Sequence, residues 1–88
     1  MNILVTGGCG FIGSNLIKFI LEQKADEVSK VVNLDSLTYA ADLENTDEFI
    51  GNPKYSFAKI DLCDIENLRG VIYNHKITHI IHLAAESH

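Results

Sequence analysis

Cysteine is scarce in this 88-residue chain. Cys9 and Cys63 lie 54 positions apart and form neither a Cys-x-x-Cys unit nor a Cys/His zinc pattern. That spacing argues against a disulfide framework and a structural zinc site, and both thiols read as reduced fillers. Cys9 alone sits at the start of an expected helix, where unpaired amides lower a thiol pKa. Positive charge is scarce too: seven Lys and Arg, scattered, against twelve Asp and Glu, for a net charge of −5. A nucleic-acid partner is excluded on that count, because phosphate backbones need clustered cations. No long apolar run or charged leader precedes the first strand, so neither a signal peptide nor a membrane span is expected and a cytoplasmic setting follows. One proline, no low-complexity tract and 47% hydrophobic residues describe a folded, soluble chain. At 88 residues it is one domain at most. It falls short of the roughly 150 residues that a helix-covered parallel sheet needs to complete a nucleotide-binding half.

What the chain does have is glycine in one place. Val5-Thr6-Gly7-Gly8-Cys9-Gly10-Phe11-Ile12-Gly13 follows the apolar run Ile3-Leu4-Val5 and precedes the periodic set Ile12, Leu16, Phe19, Ile20. The glycines therefore fall at a strand-to-helix turn. In such a turn Gly7 permits the tight bend, Gly10 lets the backbone approach a pyrophosphate, and Gly13 lets the helix lie close to the strand. The Gly-x-x-Gly-x-x-Gly spacing is one residue wider at its first step than the common dinucleotide fingerprint. A second apolar run, Val31-Val32-Asn33-Leu34, ends in Asp35, 22 residues after Gly13. An acid at that interval accepts hydrogen bonds from the adenosine ribose hydroxyls. The following residues, Ser36 to Asp42, carry no positive charge to meet a 2′-phosphate, so the expected cofactor is NAD, not NADP.

The wider pattern predicts strands over 2–6, 30–35, 55–60 and 78–83, and helices over 11–23 and 64–75. A loop with a short helix is expected near 42–50. Asp64 is placed as a helix N-cap ahead of the stripe Ile65, Leu68, Val71 and Ile72, with His75 and Lys76 at the negative end. Strands alternating with helices make this an α/β chain with a Rossmann-like parallel sheet covered by helices on both faces. Right-handed crossovers give four strands the order 3-2-1-4, with the last strand at an edge and the sheet incomplete. Ligands of such sheets bind beyond the carboxyl ends of the strands, beside the switch point between strands one and four.

Two other constellations invite chemistry. Tyr55-Ser56-Phe57-Ala58-Lys59 matches the Tyr-x-x-x-Lys pair of short-chain dehydrogenases, but that pair needs a helix, and this stretch reads as a strand in which four residues span about 13 Å. His79, His82, Glu86 and His88 lack metal-binding spacing, so no metal is expected, and His82 is expected to be packed and bonded to backbone. Asp61-Leu62 ends the third strand, where an acid can accept the adenine amino group or serve a loop or cap.

Taken together, residues 6–14, Asn33 to Ala40, Asp61 to Asp64 and His82-Leu83-Ala84-Ala85-Glu86-Ser87-His88 resemble the dTDP-glucose 4,6-dehydratase family, a nucleotide-sugar branch of the extended short-chain dehydrogenase/reductases. The resemblance covers the whole chain and corresponds to about the first quarter of such an enzyme. It implies an NAD-dependent lyase that oxidises the sugar at C4, eliminates water across C5 and C6 and returns the hydride to C6. It further implies a cofactor site. Phe11 and Ile12 fall at the pyrophosphate, Asp35, Ser36, Leu37 and Thr38 around the adenosine ribose, Asp61 and Leu62 at the adenine, and Leu83, Ala84, Ala85 and Glu86 along the cofactor. Ser87 would touch the substrate, dTDP-glucose or a related nucleotide sugar. Two positions depart from the family pattern, Cys9 in place of alanine and Ser36 in place of lysine. The family's catalytic groups fall beyond His88, so residues 1–88 read as the N-terminal part of an NAD-binding domain, a homo-oligomer being expected. A UDP-glucose 4,6-dehydratase, an NAD-dependent epimerase, and a non-catalytic nucleotide-binding or assembly module remain as alternatives.

Overall fold

The structure, a computed structural model, describes residues 1–36 and 40–83, the side chains of 40–43 excepted. Four strands, β1 (Asn2–Thr6), β2 (Lys30–Asp35), β3 (Tyr55–Lys59) and β4 (His79–His82), form one parallel sheet in the order β3-β2-β1-β4. Helix α1 (Phe11–Gln23) connects β1 to β2, and α2 (Ile65–Asn74) connects β3 to β4. The expected order and the placement of every strand and helix hold to within one or two residues, the scale on which element ends fray. The segment expected as a short helix is a 3-10 helix, η1 (Ala40–Phe49). It carries Asn45, Thr46 and Asp47, residue types that disfavour a regular α-helix.

Strand alternation sorts the core into two layers. Ile3, Val5 and Val31 face α1 and η1, meeting Ile17, Ile20, Val28 and Phe49. Leu4, Val32 and Leu34 face the other way, toward Leu68, Val71 and Ile72 of α2. Central strands buried on both faces read as continuous apolar runs for this reason. The second layer is thinner, since α2 has no buried residue and Ile80 of the edge strand is 56% exposed.

Helix α2 begins as the sequence predicts: the Asp64 carboxylate accepts the Asn67 N–H at 3.3 Å. It ends where Lys76 turns left-handed (φ 53°), and Asn2 Nδ2 donates to the carbonyls of His75 and Lys76 at 3.2 and 3.0 Å. His75 Nδ1 lies 3.3 Å from the Lys30 ammonium. Burial, with that ammonium as the lesser cause, holds the imidazole below its ordinary pKa. Below about pH 6.5 the unfolded chain therefore takes up a proton that the folded chain resists, and stability declines. Urea midpoints are expected to fall between about pH 7.5 and 5.5, and to fall less in His75→Gln. Identical slopes in the two proteins would refute the assignment.

Candidate functional site

The four carboxyl ends of a parallel sheet lie along one edge, and the glycine turn after β1 sits at its centre, between β2 and β4. Gly7 has φ 78°, a left-handed conformation that a side chain disfavours. Its N–H donates to the Leu34 carbonyl at 2.9 Å, and its carbonyl accepts the Gly10 N–H at 3.3 Å. At Gly13 an added Cβ would stand 2.3 Å from the Gly7 oxygen and 2.7 Å from Gly8 Cα, so α1 reaches the turn only without a side chain there. Gly8 is crowded by side chains instead of backbone: a Cβ would come within 2.3 Å of Asn33 Oδ1 and 2.6 Å of Ile17 Cδ1. The sequence reading passed over Gly8; its adjacency to Gly7 was the available signal.

Gly10 differs from these three. Its backbone is extended (φ −73°, ψ 173°), and an added Cβ would meet only the Gly7 oxygen, at 3.6 Å. Nothing in the fold requires glycine there. Gly10 is the N-cap of this 13-residue helix, and no side-chain cap is made there among the described residues. Phe11 and Ile12, which follow, are 78% and 71% exposed.

Asp35 closes β2 beside this turn, and its Oδ2 accepts the Cys9 N–H at 3.0 Å. The carboxylate is thus oriented by the turn itself. Ser36 follows, half-buried. Beyond β3, Asp61 is exposed and its Oδ1 accepts the Cys63 N–H at 2.8 Å, a local turn, while Leu62 joins the α2-side core. Beyond β4, the Leu83 N–H donates to the Thr6 carbonyl at 2.9 Å and its side chain joins the α1-side core. Leu37, Thr38, Ala84, Ala85, Glu86 and Ser87, together with His88, lie outside the described residues.

Two expectations need correction or refinement, and a third holds. Cys9 is fully buried, and burial pushes its thiol pKa up, the opposite of what a helix N-terminus would do. His82 is exposed and bonds a side chain instead of the backbone: its Nδ1 lies 2.6 Å from Thr6 Oγ1, the residue paired with it across β1 and β4. Tyr55 and Lys59 do lie on a strand, β3, as the sequence reading required for a false match to the dehydrogenase pair. No group of three His, Cys, Asp or Glu among the described residues could hold a metal ion, and no helix among them is long and apolar enough to cross a membrane.

A cradle of this construction has known counterparts. The chain is 47% identical over 87 residues to a dTDP-glucose 4,6-dehydratase of Neisseria gonorrhoeae, a match covering 99% of this chain and 24% of that protein. Among solved structures it superposes with a TM-score of 0.89 on the dTDP-glucose 4,6-dehydratase of Bacillus anthracis in complex with NAD, at 42% identity over 98% of this chain and 27% of that one. The Streptomyces venezuelae dTDP-glucose 4,6-dehydratase with NAD bound gives a TM-score of 0.85, at 38% identity over all of this chain and 27% of that one. The chain thus spans about a quarter of the length of these relatives. With a sequence model described as GDP-mannose 4,6 dehydratase matching residues 4–88, the whole of the cradle and sheet except the first three positions, the chain belongs to the GDP-mannose 4,6-dehydratase family.

Proposed function

We propose that residues 1–88 form the N-terminal part of the NAD-binding domain of a nucleotide-sugar 4,6-dehydratase acting on dTDP-glucose. The observation that carries the reading is Gly10, whose missing side chain serves neither backbone conformation nor packing and leaves room for a pyrophosphate against the start of α1. The NAD in the Bacillus anthracis relative and the 47% identity to the Neisseria gonorrhoeae dehydratase support the same cofactor and the same sugar nucleotide.

Bound NAD would supply the hydride acceptor for oxidation at sugar C4 and the donor that reduces C6 after water is lost. This chain's own contribution is binding and orientation. The turn at Gly7, Gly10 and Gly13, with Phe11 and Ile12, receives the pyrophosphate; Asp35 and Ser36, with Leu37 and Thr38, receive the adenosine ribose. Asp61 and Leu62 meet the adenine, Leu83, Ala84, Ala85 and Glu86 line the cofactor, and Ser87 meets the sugar nucleotide. The described residues supply no tyrosine–lysine pair, and residues 1–88 are assigned no catalytic group.

The ribose assignment has a direct test. Calorimetric titration of the full chain is expected to show NAD bound about tenfold or more tightly than NADP, because the Asp35 carboxylate repels a 2′-phosphate. Asp35→Ala should erase most of that preference. Equal affinity for the two cofactors, or an unchanged ratio in Asp35→Ala, would exclude Asp35 from the ribose site.

A further inference from the structure

Tyr55, Asn33 and Cys9 make a polar line beneath the glycine turn, and none of them is among the groups that meet the cofactor. Asn33 is fully buried in the middle of β2, between Val32 and Leu34. Its Nδ2 donates to Tyr55 Oη at 3.0 Å and to Cys9 Sγ at 3.4 Å. Its Oδ1 has no hydrogen-bond partner among the described residues. A buried amide with an unmet acceptor destabilises a fold, and a valine at this point of an apolar strand would avoid the loss. Stability therefore does not account for Asn33, and its geometry does.

The amide touches the turn twice, at Cys9 through the sulfur and at Gly8, where its Oδ1 occupies the place a Cβ would need. Cys9 is the residue whose N–H holds the Asp35 carboxylate, and its carbonyl accepts Asn45 Nδ2 from η1 at 2.8 Å. Tyr55, half-buried, anchors the other end. Its ring packs against Phe49 with centroids 5.4 Å apart and planes at 53°. A line of fixed groups thus runs from β3 through β2 to the peptide that orients the acid.

We propose that Tyr55, acting through Asn33, is a positioning residue for the adenosine ribose: it fixes the Cys9 peptide so that the Asp35 carboxylate is held ready for the ribose hydroxyls. The proposal rests on the ribose role of Asp35 given under Proposed function. An acid held in place beforehand loses less freedom on binding, so loosening the line weakens only interactions made by that acid.

The test is Tyr55→Phe in the full chain, which keeps the ring and its contact with Phe49 and removes only the hydroxyl. Affinities are measured by calorimetry for NAD and for its 2′,3′-dideoxyadenosine analogue, which lacks both hydroxyls that Asp35 would receive. NAD affinity is expected to fall about three- to tenfold, with the analogue changed less than about twofold. An equal fall for both ligands would mark Tyr55 as merely structural, and no fall for either would show that the line transmits nothing; each result overturns the proposal. Asp35→Ala, measured in parallel, separates the two claims. If it lowers NAD affinity while leaving the analogue nearly unchanged, the ribose reading stands and Tyr55→Phe alone decides the relay. If it leaves the difference between NAD and the analogue intact, the ribose reading fails and the relay falls with it.

Discussion

Gly13→Ala is expected to destabilise this fold by about 2–4 kcal/mol, even though alanine favours a helix over glycine by about 1 kcal/mol. The new Cβ would lie 2.3 Å from the Gly7 oxygen and 2.7 Å from Gly8 Cα. Both are backbone atoms, and the turn that carries them is tied to β2 through the Gly7 N–H and the Leu34 carbonyl. Relief requires α1 to move away from the sheet, which opens the layer built on Ile17 and Ile20. A domain of this size has only about 5–10 kcal/mol in total, so the change should be plain in a urea melt. A midpoint equal to that of the unchanged protein would show that α1 does not sit against the turn.

Gly10→Val should do the reverse, leaving the fold nearly untouched while lowering NAD affinity by about a hundredfold or more. The backbone at Gly10 is extended, and a Cβ there meets the protein only at ordinary contact distance. The branched side chain would instead fill the space above the first amides of α1. Lys18→Ala is the control, since Lys18 offers only an exposed ion pair to Glu48 at 3.9 Å and its loss should matter little. Thermal melts of the free protein and calorimetric titration with NAD separate the two glycines. Normal NAD binding by Gly10→Val would reduce the glycine run to a turn, and the cradle reading would fail. A large loss of stability in the same variant would mean that Gly10 serves packing after all.

The pairing of these two glycines shows how far a sequence can be read. Their spacing announced a strand-to-helix turn, and roles for Gly7, Gly10 and Gly13 followed from the general form of such turns. The crowding at Gly8 could not be seen, because the atoms that cause it belong to Asn33 and Ile17, on a different strand and a helix. Asn33 itself was visible as one amide inside an apolar strand, yet hydropathy treats a single polar residue as noise. Its meaning lies with Tyr55, 22 positions later on the neighbouring strand. His82 repeats the lesson: alternation gives the face of β4 on which it stands, whereas its hydroxyl partner is fixed by the register that sets Thr6 opposite. Cys9 is a free, buried filler as its spacing implied, but the direction of its thiol shift was illegible for a related reason. The field of a helix end is a local property, but the burial that raises the thiol pKa depends on how η1 and β2 close around it.

By itself, then, the sequence determined the strands, the helices and the order β3-β2-β1-β4, because side-chain periodicity is local and the handedness of crossovers leaves few ways to join such elements. It also determined that a glycine turn and an acid stand at the carboxyl edge of that sheet. The tertiary structure alone decided which polar groups meet beneath the turn. Cys9, Asn33, Asn45 and Tyr55 come from the turn, β2, η1 and β3, and side chains from four elements converge only when the sheet register, the η1 segment and the close approach of α1 are all set together.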